Sequence, residues 1–394
     1  MVSEKMVELG TKKSTIRTIF EFGQKRAQEV GRENIFDFSL GNPNVPAPPF
    51  IKQAIFDILK EYKPTDVHGY TVAPGEPSVR QALAKSISNR FNIDVSEKNL
   101  FLTAGAAAAI TITFKALSEE GDEFVAFAPF FPEYRCFVES VGGKLVVVPA
   151  RTEDFQIDFD AFERCLTPRT KAVIVNSPNN PSGVVYSLVT VERLADMLCK
   201  KEKEYGHPIF LISDEPYREI AYDGVEVPYL TKYYRNTIVC YSYSKSFSLP
   251  GERIGYILVP NEVMDFGKVY GAIAGAARVL THVNAPSLFQ RVVARCADMK
   301  PDLSVYEKNG KLLYQGLVDA GFSCVKPQGA FYLFPKSLEP DDYVFCERAK
   351  KYDLLLVPGT DFGCPGHFRA AYCVSTEMIE RSLPLFKKLA KEYR

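Results

Sequence analysis

The chain has 394 residues, enough for two domains around a large buried core. Its 48 basic and 48 acidic side chains cancel, which argues against a broad nucleic-acid or polyanion surface. Nine scattered cysteines without a C-x-x-C pair argue against a disulfide framework or zinc ribbon and point to a reducing, cytoplasmic setting. The four histidines (His68, His207, His282, His367) lie far apart, so no metal site is expected. No apolar run approaches the roughly 18 residues of a membrane span, and the charged N-terminus lacks a signal-type apolar stretch.

In chain order, residues 11–30 place Ile16, Ile19, Phe20 and Ala27 at helical spacing, so an amphipathic helix is expected there. Phe36 to Leu40 reads as a short strand ending in Gly41-Asn42-Pro43, followed by a proline-rich boundary, Pro46 to Pro49. Helices are expected over Ile51–Lys60 and Ser78–Arg90, with a loop from His68 to Gly75 between them. Then short β-branched and aromatic runs recur at 100–102, 124–127, 144–148, 171–175, 209–213 and 237–241. Most are separated by helical stretches such as Ala106–Leu117. That alternation predicts an α/β domain with a mostly parallel sheet and helices on both faces. Long helices are expected from about 287 to 320. After them, strands are expected at Val325, Phe331–Phe334 and Leu354–Val357, and helices over 341–352 and 377–393. The division that follows is a large domain over 50–290 and a smaller α+β domain from 1–49 and 291–394.

Ligands in open α/β sheets bind beyond the carboxyl ends of the strands. Thr103-Ala104-Gly105-Ala106-Ala107 opens a helix there, and free backbone N–H groups at a helix start suit a phosphate. A buried alanine-rich helix with a glycine turn explains the same residues without a ligand. Pro129-Phe130-Phe131-Pro132 offers an aromatic wall for a planar ring, or simply a packed core aromatic. Asn176 to Gly183 forms an elaborate turn in which Asn180 can donate to a ring oxygen. Asp214 at a strand end needs a cation, such as a protonated ring nitrogen, unless it caps a helix. Tyr217, three residues on, can reach a phenolic oxygen on the same ring.

The last run, Thr237 to Tyr241, leads into Ser242-Tyr243-Ser244-Lys245, with Arg253 following. A lone lysine among hydroxyl residues is either a solvated loop lysine or an amine masked as an imine with an aldehyde. Ser242, Ser244 and Arg253 then read as ligands of an anion. Phosphate, flat ring, ring oxygen, ring nitrogen and aldehyde together describe pyridoxal 5'-phosphate.

These residues resemble the class I/II aminotransferases, the fold-type-I pyridoxal-phosphate enzymes, over nearly the whole chain from Gly41 to Arg369. Ser242-x-x-Lys245 with Arg253 resembles the family's Schiff-base lysine and phosphate ligands. Asp214-x-x-Tyr217 resembles its ring-nitrogen carboxylate and the tyrosine on the ring oxygen, Asn180-Pro181-x-Gly183 resembles its asparagine turn, and Phe131 falls at the ring-stacking position. The resemblance implies that Tyr70, near Gly75, reaches the phosphate of a neighbouring subunit, hence a homodimer with shared active sites. It also implies that Gly41 and Arg369 bind the substrate α-carboxylate; Pro327-x-Gly329-x-Phe331-Tyr332 resembles another signature of the small domain. Two departures stand out. Ala106 and Ala107 replace hydroxyl or lysine side chains found in many relatives, and Val283 stands where a hydroxyl is common. The sequence shows no firm equivalent of the arginine that binds a distal carboxylate in some aspartate enzymes; Arg278 is nearby in sequence and a weak match.

The implied activity is transfer of an amino group from an L-amino acid to a 2-oxo acid, as in aspartate aminotransferase-like members, with no nucleic-acid or membrane partner. The nearest alternative is a C–S β-lyase using the same lysine and aspartate. A non-enzymatic sensor domain is the distant one, and the 35 residues before the first strand are too few for a winged helix.

Overall fold

The computed structural model describes residues 2–11 and 14–394, so residues 12 and 13 of the helix expected over 11–30 lie outside the described residues. The strands in chain order are β1 (Phe36–Asp37), β2 (Leu100–Thr103), β3 (Glu123–Phe127), β4 (Lys144–Val148), β5 (Thr170–Asn176), β6 (Phe210–Asp214), β7 (Thr237–Ser242), β8 (Gly255–Leu258), β9 (Tyr332–Leu333), β10 (Leu354–Leu355), β11 (Val357–Pro358) and β12 (Phe368–Ala371).

Seven strands form the central sheet in the order β2-β8-β7-β6-β5-β3-β4. All its pairings are parallel except those of β8, which runs antiparallel to both β2 and β7. The fold class is therefore the expected α/β one. The near-continuous apolar runs are explained by helices covering both faces. Successive residues point to opposite sides of a strand. Phe124, Ala126, Ile174 and Ile212 thus share one core with Ile110 and Ile273 of helices Ala106–Leu117 and Phe266–Val279. Val125, Phe127, Val173 and Leu211 join Leu194 and Leu198 of helix Leu188–Tyr205 on the other face. That helix starts at Ser187, whose side chain accepts from the Thr190 N–H, and stops at Gly206 in the left-handed region, φ 75°.

The two chain ends meet. β1 pairs in parallel with β10, and β11-β12-β9 form a small antiparallel sheet. Helix Ser304–Ala320 packs on helix Thr376–Lys391 beside them. Among the described residues, no helix is long and apolar enough to cross a membrane, and no group of acidic, His or Cys side chains could hold a metal.

Several local expectations need correction. Residues 64–68 form a short helix that was not expected, ending at His68 where the expected loop begins. The helices expected from about 287 to 320 are two, Ser287–Arg295 and Ser304–Ala320, with Pro301 between them. Val325 lies in no strand, and the β12 strand was not anticipated.

Gly255 lies where three backbones converge. A Cβ there would sit 2.2 Å from the Tyr241 carbonyl oxygen and 3.1 Å from Cα of Gly105. Gly255→Ala is therefore expected to cost about 1–3 kcal/mol of stability, the usual cost of overpacking, read as a lower midpoint in guanidinium unfolding.

Candidate active site

Strands β5, β6 and β7 end side by side at Asn176, Asp214 and Ser242, since Asn176 is in register with Asp214 and Asp214 with Cys240. A cavity of about 280 Å³ opens beyond these ends. Its wall includes Gly41, Ala106, Ala107, Phe131, Asn180, Asp214, Tyr217, Ser242, Lys245, Arg253 and Arg369, all singled out from the sequence. Ile16, Ile110, Asn176 and Tyr332 also line it. Two larger surface grooves, of about 740 and 690 Å³, carry charges that pair internally, as Arg151 does with Asp154 and Arg90 with Glu219.

Asp214 is 4% exposed, and the residues after it form turns, so it caps no helix. Its Oδ2 accepts from the Tyr134 hydroxyl at 2.5 Å, and Asn176 Nδ2 lies 3.4 Å from the same oxygen. Its Oδ1 is buried without any hydrogen-bond partner. Burial pushes the carboxyl up to about 7, against the pull of the Tyr134 hydrogen bond, and the nearby Glu215 adds to the rise.

The lysine segment is a short helix, Tyr243–Ser246, rather than an open loop. Lys245 Nζ donates to the Gly41 carbonyl at 2.6 Å and has no acidic partner among the described residues. Burial pushes this amine down to about 8. The Ser242 and Ser244 hydroxyls lie 2.8 Å apart. Arg253 Nη1 reaches Ser244 Oγ at 3.4 Å and the Pro250 carbonyl at 3.0 Å, and Nη2 reaches the Ala104 carbonyl at 3.2 Å. Gly105, φ 83°, precedes the first turn of helix Ala106–Leu117, and a Cβ on it would sit 2.9 Å from Arg253 Nη2. The glycine thus lets a guanidinium stand beside free helix N–H groups.

Arg369 is 3% exposed. Its Nη1 donates to Asn180 Oδ1 at 3.0 Å and its Nη2 to the Ser39 carbonyl, while Nε has no partner. The guanidinium lies over Tyr332 and Phe362, 4.7 and 4.9 Å from their ring centroids. No carboxylate pairs with it among the described residues. Tyr332 also shares a 2.8 Å hydrogen bond between hydroxyls with Tyr217. It crowds Gly41 too, since a Cβ there would lie 1.9 Å from the Tyr332 hydroxyl oxygen.

Tyr70 is 98% exposed and lines no part of this cavity in its own chain. Arg278 is exposed and also absent from the wall. Sequence reasoning missed Tyr134, although it lies one helical turn after Phe131, and left Tyr332 without a role. Neither carries a local signal, because their partners are 80 and 115 residues away.

The bare carboxylate oxygen, the desolvated amine and the glycine-lined helix start fit pyridoxal phosphate, which has a cationic ring nitrogen, an aldehyde and a phosphate. A model of the family "Aminotransferase class I and II" matches residues 33–384, and the chain belongs to that family. It is 29% identical over 374 residues to the aspartate/prephenate aminotransferase of Thermus thermophilus, covering 92% of this chain and 94% of that one. Its structure is similar to an amino transferase from Eubacterium rectale, at TM-score 0.98 and 52% identity, over 100% of this chain and 99% of the other. An aspartate aminotransferase of Thermotoga maritima aligns at TM-score 0.85 and 27% identity, over 98% and 99% of the two chains. The chain is accordingly an enzyme, a pyridoxal-phosphate-dependent aminotransferase that moves an amino group from an L-amino acid to a 2-oxo acid.

The depressed Lys245 pKa gives a prediction for the cofactor-free protein. The amine is neutral in the fold down to about pH 8, while the unfolded chain charges it below 10.5. Its contribution to stability is therefore present above pH 10.5 and lost by the time the pH has fallen through about 8. Lys245→Met should gain stability relative to the native chain across that window. Acylation of Lys245, followed by peptide mass spectrometry, should reach half its limiting rate near pH 8.

Proposed function

We propose that Lys245 forms the covalent link to the cofactor's aldehyde carbon and that Asp214 pairs with the ring nitrogen. Tyr217 and Asn180 would hold the ring oxygen, and Phe131 would cover the ring face. Ser242, Arg253 and the backbone of Gly105, Ala106 and Ala107 would hold the phosphate. The observation that carries this reading is a desolvated amine and a desolvated carboxylate in one cavity, neither with a counter-ion. When bound, pyridoxal phosphate supplies the aldehyde that takes up the amino group and the cationic ring that accepts the electron pair from Cα.

Arg369 would bind the substrate α-carboxylate as a bidentate fork, with the Gly41 backbone beside it, which fixes the orientation of Cα. Nζ of Lys245, a weakened base at about pH 8, would take the Cα proton as general base. Stacking on Tyr332 and Phe362 holds the guanidinium plane in place before substrate arrives.

For the side-chain end of the substrate, Ile16 and Ile110, which take no part in holding the cofactor, would present an apolar wall. An amino acid with an uncharged side chain suits that wall better than a dicarboxylate. Aspartate would need a cation from outside these residues.

A homodimer accounts for Tyr70, whose ring contacts solvent here and would reach the partner's phosphate. A reducing cytoplasm accounts for nine cysteines that are all unbridged. We also take the chain as two domains. The boundary is better drawn in the break between Arg295 and Ser304 than at 290/291, because helix Ser287–Arg295 packs on helices Pro49–Glu61 and Pro77–Phe91.

Lys245→Ala should abolish both turnover and the visible absorbance of bound cofactor; an active variant would refute the assignment. Arg369→Ala should raise KM for amino donors by about 30-fold or more, the lower end of the 2–5 kcal/mol lost with a buried charge pair, and leave cofactor binding nearly intact. A stopped-flow screen of single amino acids against the cofactor-loaded enzyme tests the wall. Leucine or phenylalanine should react faster than aspartate; aspartate reacting fastest would overturn that preference. Pyruvate and ammonia released from cystathionine in the same assay would indicate β-elimination instead.

A further inference from the structure

We propose that Tyr134 is a positioning residue for the transamination. Its hydroxyl holds the Asp214 carboxylate ionised and turned so that the free oxygen faces the cofactor's ring nitrogen. This rests on the assignment of Asp214 made above.

Tyr134 is 1% exposed and donates to Asp214 Oδ2 at 2.5 Å. That bond occupies one carboxylate oxygen and leaves Oδ1 as the unpartnered oxygen of a residue on the cavity wall. Asn176 reinforces the same orientation, with Nδ2 at 2.9 Å from the Asp214 backbone carbonyl and 3.4 Å from Oδ2. A phenol can donate only one hydrogen bond. Given to a carboxylate, that bond favours the charged form. Burial opposes it, and pushes the Tyr134 hydroxyl itself far above its usual range, so the phenol remains a donor and not a competing anion.

The other ionisable groups around Asp214 do not replace this role. Glu215 is already bound by Arg218, with Nη2 at 2.7 Å from Oε1. The Tyr217 hydroxyl is engaged with Tyr332. The Cys240 thiol contacts Thr113 at 3.6 Å, and burial drives it up, so it stays neutral.

A second contact ties Tyr134 to the ring-stacking position. Its ring meets Phe131 edge-on, at 5.7 Å between centroids and 86° between planes, and its backbone N–H donates to the Phe131 carbonyl at 3.1 Å. Tyr134 therefore touches both Asp214, assigned to the ring nitrogen, and Phe131, assigned to the ring face.

Tyr134→Phe removes the hydroxyl and keeps that edge contact, so folding should survive. In enzyme loaded with ¹⁵N-labelled cofactor, the ring-nitrogen shift should move toward that of neutral pyridine. The cofactor dissociation constant should rise about 10- to 100-fold, the range for a lost hydrogen bond to a charged group. The kcat should fall while KM for the amino acid changes little. Placed on Asp214→Asn, the same substitution should add nothing. A native nitrogen shift and native cofactor affinity in Tyr134→Phe would overturn the proposal. So would an undiminished effect in the Asp214→Asn background, which would make Tyr134 a packing residue only. Native cofactor binding in Asp214→Asn itself would overturn the ring-nitrogen assignment and this proposal together.

Discussion

Everything at the cavity depends on charges that the fold buries and does not pair. Asp214 and Glu215 are neighbours at the end of one strand, and both are nearly inaccessible to solvent. Glu215 is held by Arg218 through two hydrogen bonds, a closed structural pair. Asp214 receives only neutral donors and keeps one oxygen bare. An unpaired buried ion costs several kcal/mol, and a protein that needed Asp214 only for stability would have no reason to carry that cost. Lys245 and Arg369 repeat the pattern, with carbonyls and an amide where carboxylates would be expected. Three desolvated groups of complementary sign face one space, which is the electrostatic mould of a zwitterionic ligand pair.

The sheet explains how such groups stay apart. In a parallel sheet, adjacent strand ends sit about 4.8 Å from each other, and the rigid ladder prevents the side chains from collapsing together. Asp214 lies on β6, and Lys245 follows β7. The antiparallel β8 then leads away from the cavity, so the connection between β7 and β8 must turn back at its edge. Arg253 sits in that turn at φ 50°, a left-handed conformation unusual for arginine. The turn sets its guanidinium against Gly105 and the helix start. Backbone strain of this kind, held in place by packing on both sides, is common where a ligand is gripped.

Much of this was legible in the chain itself, and the reason is physical. A strand covered on both faces must be apolar at every position, so β3, β5, β6 and β7 announce themselves in sequence as short β-branched runs. Chemistry at their ends then follows from position alone: Asn180, Asp214 and Lys245 each come within a few residues of such a run. The strands of the small sheets are two to four residues long. Phe368–Ala371 is apolar on both sides of Arg369, yet too short to separate from a buried turn. The roles of Tyr134 and Tyr332 were hidden for another cause. With 21 tyrosines in the chain, a phenol that fills a core and one that orients an acid look alike until its hydroxyl has a partner.

The start of the chain contributes more than its length suggests. β1 adds to β10 in parallel, which carries Ser39 and Gly41 to the side of the cavity that holds Arg369. Helix Thr15–Val30 packs on β10 and β11, and brings Ile16 to the cavity wall. The Gly41 carbonyl accepts from Lys245, and Gly41 has no room for a side chain beside the Tyr332 hydroxyl. The N-terminal segment is therefore joined to the amine of β7's loop on one side and to the Tyr332–Arg369 stack on the other. A group that took the Lys245 amine would compete with this bond to the Gly41 carbonyl. The carbonyls that hold the amine and the guanidinium thus belong to one three-residue stretch, Ser39 to Gly41.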